Sequence, residues 1–329
     1  MATVSPHLRS LDADAFAAAR AAVPAGLGRL GEIATRVAGI QGLPRPAVSG
    51  KRLILLAADH WAARDDSAWS RLQEIIRARA PINGIVAHGG IDLQLVDCGL
   101  EADLEAGTPM DRIQGESPSA PPGLPILHRK TGPGAGDIAQ KRAMERLGAE
   151  HCVAVGVDLA VESGLAGFSL IGNGVLSSGA RIPAAALTCV LTGVMPRKIL
   201  DSNEDIVAVE RALERHQPNR ANALDLLETL GGFDIGAAMG MVLGAAATRI
   251  PVVCDGLAST AGAALAVLHQ PQVRDYLFVG QRSANRGHAY LLEWLQTEPI
   301  LALGLRDAQG AGAALAMGVV EAAVGVLRG

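Results

Sequence analysis

Aromatic residues are scarce in this chain of 329 residues, where Phe, Trp and Tyr together make up 3%. An excess of positive charge is also missing, because 29 Lys and Arg stand against 33 Asp and Glu, giving a formal net charge of −4. A chain with neither a basic surface nor many stacking rings is poorly suited to a phosphate backbone, so we expect no nucleic-acid partner. Apolar residues still make up 49%, which excludes a disordered chain.

Long hydrophobic runs are absent as well, although the mean hydropathy is positive at +0.26. The uncharged stretches 163–180 and 182–196 are too polar or too short, and Glu321 interrupts 310–327. A membrane-spanning helix needs about 20 predominantly apolar residues, so we expect no membrane span. The amino terminus has no basic segment followed by an apolar one, so we expect no secretory signal.

Cysteine is rare, and its spacing does not match a metal-binding motif. The four cysteines, Cys98, Cys152, Cys189 and Cys254, are far apart and form no Cys-x-x-Cys pair. This spacing predicts buried thiols in a reducing compartment rather than disulfides or a zinc site. We therefore expect a cytoplasmic protein with no bound metal.

Short apolar runs alternate with helical patterns along the chain. Strands are predicted over 52–60, 92–99, 151–158, 249–256 and 275–280, and helices over 66–80, 137–149, 182–193, 203–217, 221–247 and 259–270. This alternation is typical of an α/β fold with a mostly parallel sheet, whose functional groups gather at the carboxyl ends of strands.

The two chain ends are predicted to be helical. The first forty residues have a helical pattern interrupted by Gly26 and Gly28, and the Ala-, Gly- and Val-rich tail from Ala311 predicts a long helix packed against them. Residues 113–136 are rich in Pro, Gly and Ser and are predicted to form a loop.

Two glycine- and serine-containing segments carry anion-binding chemistry. The segment 172–179, Gly-Asn-Gly-Val-Leu-Ser-Ser-Gly, is predicted as a turn before an Ala-rich helix, where backbone N–H groups and the helix dipole can hold a phosphate. A plain tight turn explains it equally well. Ser283 and Arg286 offer a hydroxyl and a cation on a predicted strand-to-helix turn, with an ordinary helix cap as the alternative. Neither segment fits the dinucleotide fingerprint or the P-loop, so we expect no bound cofactor and disfavour an oxidoreductase.

Two further segments are ambiguous when taken alone. Asp59 and His60 at a predicted strand end are either an acid–base pair or structural, because adjacent residues of an extended chain point to opposite faces. Gly310 and Gly312 leave bare backbone that either a ligand or another helix can approach.

Four segments occur in the order of one enzyme family, namely 57–60, 231–240, 247–256 and 306–317. Together they resemble nicotinate-nucleotide:dimethylbenzimidazole phosphoribosyltransferase. The resemblance implies a three-layer, Rossmann-like α/β domain over 51–299 and a small helical domain formed by both chain ends, 1–50 and 300–329. It also implies transfer of phosphoribose from nicotinate mononucleotide to a benzimidazole-type base in cobamide lower-ligand assembly. A homodimer is expected, with a heterodimer with a family relative as the alternative.

The sequence departs from the family where the chemistry lies. The family motif Arg-Leu-Gly-Glu-Gly-Thr-Gly-Ala-Ala carries the glutamate regarded as the base for the benzimidazole proton, and Gln309 and Ala311 replace its Glu and Thr. The family motif Gly-Glu-Met-Gly-Ile-Gly-Asn-Thr-Thr is matched to 167–175, which puts Phe168 at its Glu. A glutamine amide accepts a hydrogen bond but does not take up a proton at neutral pH. The acids Asp307 and Glu162 are possible substitutes that the sequence does not place in the site.

The predicted site therefore has Gln309 at the catalytic position. The predicted substrate-binding residues are Asp59, His60, Phe168, Ser169, Gly172, Asn173, Gly174, Ser177, Asp255, Ser283, Arg286, Gly310 and Gly312. Two functions stay open: an active phosphoribosyltransferase, or a catalytically impaired paralogue that binds a nucleotide or base or serves as a partner subunit.

Overall fold

A six-stranded, wholly parallel sheet forms the centre of the molecule. The computed structural model describes residues 8–62, 68–102, 124–306 and 309–328. The sheet has the order β3-β2-β1-β4-β5-β6. Its strands are β1 (Lys51–Asp59), β2 (Asp92–Gly99), β3 (Ile126–His128), β4 (Leu170–Ser178), β5 (Val252–Asp255) and β6 (Leu277–Val279). Because the strand order reverses between β1 and β4, ligands are expected in the crevice at the carboxyl ends of these strands. The predicted α/β fold is confirmed.

Helices cover both faces of the sheet. Those within the described ranges are α1 (Ala13–Ala22), α2 (Gly28–Gln41), α3 (Ala68–Ile76), α4 (Pro81–Gly89), α5 (Arg146–Leu165), α6 (Arg181–Thr192), α7 (Pro196–Ile199), α8 (Asn203–His216), α9 (Ala223–Leu230), α10 (Phe233–Thr248), α11 (Gly256–His269), α12 (Arg286–Leu295) and α13 (Ala311–Gly325). Helices α5, α10 and α11 pack on one face, and α13 packs on the other with α2 and α4. Among the described residues, no helix is long and apolar enough to cross a membrane.

The predicted strand 151–158 is wrong, because these residues belong to helix α5. A short apolar run does not distinguish a buried strand from a buried helix. Here α5 lies directly against α10. A side chain at Gly156 would collide with the carbonyl oxygen of Ala237, and one at Gly240 would collide with that of Val153. Because the two helices meet along these glycines, Cys152, Val153, Val155 and Gly156 of the run are buried.

The predicted turn at 172–179 is also wrong, because all of it except Gly179 is part of the central strand β4. The glycines serve packing here. An added methyl group at Gly172 would lie 3.3 Å from Cε of Met317, and one at Gly174 would lie 2.6 Å from Cα of Gly310. Glycine inside a strand often marks such a close approach. Strand β3 was likewise missed, because it lies within the predicted loop 113–136.

Other predicted helices shift at their ends. The helix expected over 137–149 begins only at Arg146, and the one expected over 221–247 is split into α9 and α10. The break falls at Gly232, where a side chain would collide with the ring of His60.

The two chain ends pack together. Helix α13 contacts α2, and Nε of Arg328 donates to the carbonyl oxygen of Pro46 at 3.3 Å. These contacts agree with the expected helical ends, while the division into two domains at residues 50 and 300 stays a prediction.

Candidate active site

A cavity of about 210 Å³ opens at the carboxyl ends of β4 and β5. Four helices begin at its wall: α6, α11, α12 and α13. Gly179, with φ of 74°, makes the left-handed turn that leads from β4 into α6. Because the first turn of a helix carries partial positive charge, four such ends make the cavity favourable for an anion.

Three arginine side chains add full positive charge to this wall: Arg71, Arg181 and Arg306. Nη2 of Arg71 donates to the carbonyl oxygen of Ser177 at 2.6 Å. Arg181 is held by Asp205 through two hydrogen bonds of 2.7 and 3.0 Å. Guanidinium groups are common phosphate ligands in proteins. The sequence analysis missed all three arginines, because they come from separate segments.

Asp255 is the acidic side chain among the described residues that line the cavity. It is 6% exposed. Its Oδ2 accepts from the N–H of Gly312 at 2.8 Å, and its Oδ1 has no hydrogen-bond partner among the described residues. Burial raises the pKa of the Asp255 carboxyl, against the opposing effect of nearby donors that include the Gly312 N–H and the Gln281 amide. A side chain at Gly312 would collide with Oδ1 of Asp255, so this close approach requires glycine.

A buried network joins the switch point to helix α10. Nε2 of His60 lies 3.1 Å from both carboxylate oxygens of Asp234, and the hydroxyl of Ser177 donates to the same carboxylate. Burial alone would raise the pKa of Asp234. The charge and hydrogen bond of His60, with the donors Ser177 and Ile235, outweigh burial and lower it. Ser177 and His60 both contact Asp234, so the network ties β1, β4 and α10 together. The sequence analysis missed Asp234, although it lies within the family segment 231–240.

The side chains of Asp59 and His60 diverge, as expected for adjacent residues at a strand end. The Asp59 carboxylate accepts from the backbone N–H groups of Ala68 and Glu101 at 3.3 and 2.8 Å. This geometry favours the structural interpretation of both residues over an acid–base pair.

Ser283 lies in the cavity wall and is positioned by a buried histidine. Its N–H donates to Nδ1 of His288 at 3.0 Å, and Nε2 of His288 lies 3.0 Å from the hydroxyl of Thr260. Burial, with a smaller contribution from the charge of Arg282, lowers the pKa of His288 to about 4. A neutral ring whose Nδ1 accepts must carry its proton on Nε2, so it donates to Thr260.

The structure brings five of the predicted residues to the cavity: Ser177, Asp255, Ser283, Gln309 and Gly310. Two more support the wall. The Gly312 N–H holds Asp255, and Oδ1 of Asn173 accepts from the hydroxyl of Ser259. Gly172 and Gly174 pack toward α13 and the turn before it, and their backbone lies in the sheet ladder instead of facing a ligand.

The structure does not bring Phe168, Ser169 or Arg286 to the cavity. The ring of Phe168 stacks on Arg52 at 3.9 Å, and Ser169 contacts Ser49 just before the amino end of β4. At 3.3 Å per residue, this is roughly 30 Å from the cavity end of the strand. Most of the segment 167–175 that was matched to the family motif lies within strand β4. Arg286 pairs with Asp201 at an exposed position.

Of the two acids considered as substitutes for the missing glutamate, the structure describes one. Glu162 pairs with Arg129 at 3.0 Å and does not line the cavity. Asp307 lies outside the described residues. Within the described ranges, no group of three or more His, Cys, Asp or Glu side chains is arranged to hold a metal ion.

Comparison with known proteins agrees with this architecture. A family model described as phosphoribosyltransferase matches residues 9–329. The nicotinate-nucleotide:dimethylbenzimidazole phosphoribosyltransferase of Syntrophobacter fumaroxidans is 36% identical over 92% of this chain and 86% of its own length. The chain belongs to this phosphoribosyltransferase family. The relative of the same name from Chloroflexus aggregans is 36% identical over 98% of this chain and 93% of its own length. The crystal structure of the Thermus thermophilus member of the family has a TM-score of 0.86 at 30% identity, covering 97% of this chain and 96% of that one.

Proposed function

We propose that the protein transfers phosphoribose from nicotinate mononucleotide to a benzimidazole-type base, in assembly of the cobamide lower ligand. The observation that carries this proposal is the anion-favouring cavity at the ends of β4 and β5. It occurs in a chain whose relatives carry the name of this reaction over nearly their whole length. A cavity at this edge is where a parallel sheet of this order binds its ligands.

The phosphate subsite that we propose differs from the one expected from sequence. Arg181 is the first residue of α6, and Arg71 and Ser283 line the same cavity. Guanidinium groups beside the start of a helix suit a phosphate monoester. Arg286 is not part of this subsite, because it contacts Asp201 outside the cavity.

The reaction depends on the positions of the two substrates more than on a general acid. In nicotinate mononucleotide the pyridinium ring is already cationic, so nicotinate takes the bonding electron pair and leaves without protonation. The protein must hold the acceptor nitrogen at C1′ of the ribose and provide for loss of the second ring proton. Gln309 lies in the cavity wall and can accept a hydrogen bond from that N–H, although it cannot take the proton.

The test is incubation with nicotinate mononucleotide and dimethylbenzimidazole, with chromatographic detection of α-ribazole phosphate. We expect product that increases with enzyme concentration. The replacement of the family glutamate by Gln309 favours one second candidate, an impaired paralogue that binds without transfer. Calorimetric binding of nicotinate mononucleotide with no detectable product would support that candidate.

Assembly and location are proposed as well. We propose a dimer, either of this chain alone or with a family relative, and a cytoplasmic location in which the buried cysteines stay reduced. Leu147, 65% exposed, lines a second, open cavity together with Phe233, and such a face suits contact with another subunit. A monomeric mass in light scattering at micromolar concentration would contradict the dimer.

A further inference from the structure

We propose that Asp255, rather than the residue at the family's glutamate position, accepts the proton that the benzimidazole-type base loses. This inference rests on the proposed function and names the group that replaces the missing base. It starts from the composition of the cavity wall. Among the described lining residues, Asp255 is the carboxylate, while Gln309 presents an amide.

One oxygen of the Asp255 carboxylate accepts a hydrogen bond, and the other has no partner among the described residues. Oδ2 is fixed by the Gly312 N–H at 2.8 Å, which orients the group. Oδ1 is buried without a hydrogen-bond partner among the described residues. A buried polar atom without a partner is costly, so this oxygen keeps an unused capacity to accept a hydrogen bond or a proton.

A hydrogen bond joins Asp255 to the start of helix α13, which Gln309 and Gly310 precede. Gln309 and Gly310 form the turn that starts helix α13, and the third residue along, Gly312, donates to Asp255. The bare backbone of Gly312 is what allows the carboxylate to lie against this turn, since any side chain there would collide with Oδ1. A base whose N–H is guided by the Gln309 amide is therefore close to the turn that Asp255 contacts.

The surroundings suit a proton acceptor. Burial raises the pKa of Asp255, which makes the carboxylate a better base. Backbone N–H groups at the starts of α11 and α13 oppose this increase in the pKa. The other charged groups in the described wall are Arg71, Arg181 and Arg306.

The proposed step balances as follows. The lone pair of the acceptor nitrogen forms a bond to C1′, and the bond from C1′ to the nicotinate nitrogen breaks with its electron pair going to nicotinate. The acceptor is then a benzimidazolium cation. Its remaining N–H proton passes to Oδ1 of Asp255, the product ring becomes neutral, and Asp255 later releases the proton to water.

An acceptor without a ring proton separates this role from binding. Dimethylbenzimidazole must lose a proton, whereas 1-methylbenzimidazole has none to lose and yields a cationic product. For Asp255→Asn we expect a loss of about 10²–10⁴-fold with dimethylbenzimidazole and less than threefold with 1-methylbenzimidazole. Calorimetric affinity for nicotinate mononucleotide should stay within threefold. Asp201→Asn, the same change at an exposed position, is the matched control and should alter neither rate.

Two further measurements keep the test decisive. Asp255→Asn combined with Gln309→Glu should recover the dimethylbenzimidazole rate by at least tenfold, because it restores a carboxylate at the turn. In the unmodified protein, the rate with dimethylbenzimidazole should fall at acidic pH beyond any fall seen with 1-methylbenzimidazole. This comparison needs no variant to fold.

The contrary outcomes are distinct. Equal losses with both acceptors would show that Asp255 binds ribose or orients the site, and would overturn the inference while leaving transfer intact. An unchanged dimethylbenzimidazole rate in a folded Asp255→Asn protein would place the proton acceptor elsewhere. An unmodified protein that transfers phosphoribose to neither acceptor would overturn the proposed function itself.

Discussion

The buried carboxylate of Asp234 should be a main determinant of stability at the switch point. Asp234→Asn keeps the shape of the side chain and removes the charge that faces His60 and accepts from Ser177. Removing a buried carboxylate from the groups that it holds by hydrogen bonds costs about 3–5 kcal/mol. An unfolding entropy of about 2.1 cal/mol/K per residue gives roughly 0.7 kcal/mol/K for this chain, so the Tm should fall by about 4–7 °C.

Thermal unfolding followed by circular dichroism at pH 7 measures this change. Asp201→Asn is the control, because exposed pairs contribute about 0–1 kcal/mol and its Tm should move by about 1 °C or less. The pKa of Asp234 is lowered in the folded state, so its contribution is present above the ordinary value of 3.8 and is lost as the pH falls through the folded-state pKa. The stability of the variant should lack that acidic step. A Tm for Asp234→Asn equal to that of the control would refute the reasoning.

Three other predictions follow from the cavity. Gly312→Ala forces its methyl group onto Asp255, so we expect a loss of about 1–3 kcal/mol in unfolding free energy and at least a tenfold loss of transfer, measured by urea unfolding and product formation. Arg181→Ala should weaken calorimetric binding of nicotinate mononucleotide at least tenfold but spare free nicotinate, while Arg286→Ala leaves both unchanged; the reverse ranking would move the phosphate subsite. Because the pKa of His288 is lowered to about 4, the unfolded chain takes up a proton first as the pH falls below about 6.5. The free energy of unfolding should therefore decline from pH 6.5 to 4, by less in His288→Asn; equal slopes would contradict the buried neutral ring.

The sequence predicted most elements whose pattern is strong in isolation. Strand β1 reads as a continuous apolar run, and helix α8 has an apolar stripe with Ser202 as its N-cap, so both were placed within a residue or two. The segment 151–158 has an apolar run of the same kind, yet it forms a helix because α10 covers it. Local pattern cannot reveal which partner buries a run.

The site residues likewise divide into those that a local pattern predicts and those that only the tertiary structure brings to the cavity. Asp255 lies near the end of one predicted strand and Ser283 follows another, and ligand-binding groups of a parallel sheet gather at the carboxyl ends of its strands. Arg71 and Arg181 reach the cavity from helices α3 and α6, which no spacing in the sequence connects. The structure puts Phe168 just before the amino end of β4, and the glycines that follow it lie within the strand, in close contact with α13 and the turn before it.

The convergence of helix starts and guanidinium groups around the cavity has a kinetic consequence. Phosphate is present in the nucleotide that enters and in the nucleotide that leaves, so these contacts stabilise reactant, transition state and product to a similar degree. Binding energy shared in this way lowers the concentration of substrate needed for saturation without accelerating bond cleavage. It also retains the product. The protein has a net charge of −4, whereas the described cavity wall carries Arg71, Arg181 and Arg306 against one carboxylate, so capture of the anion should slow as ionic strength rises. Tight binding of the phosphate should therefore slow the release of the product nucleotide.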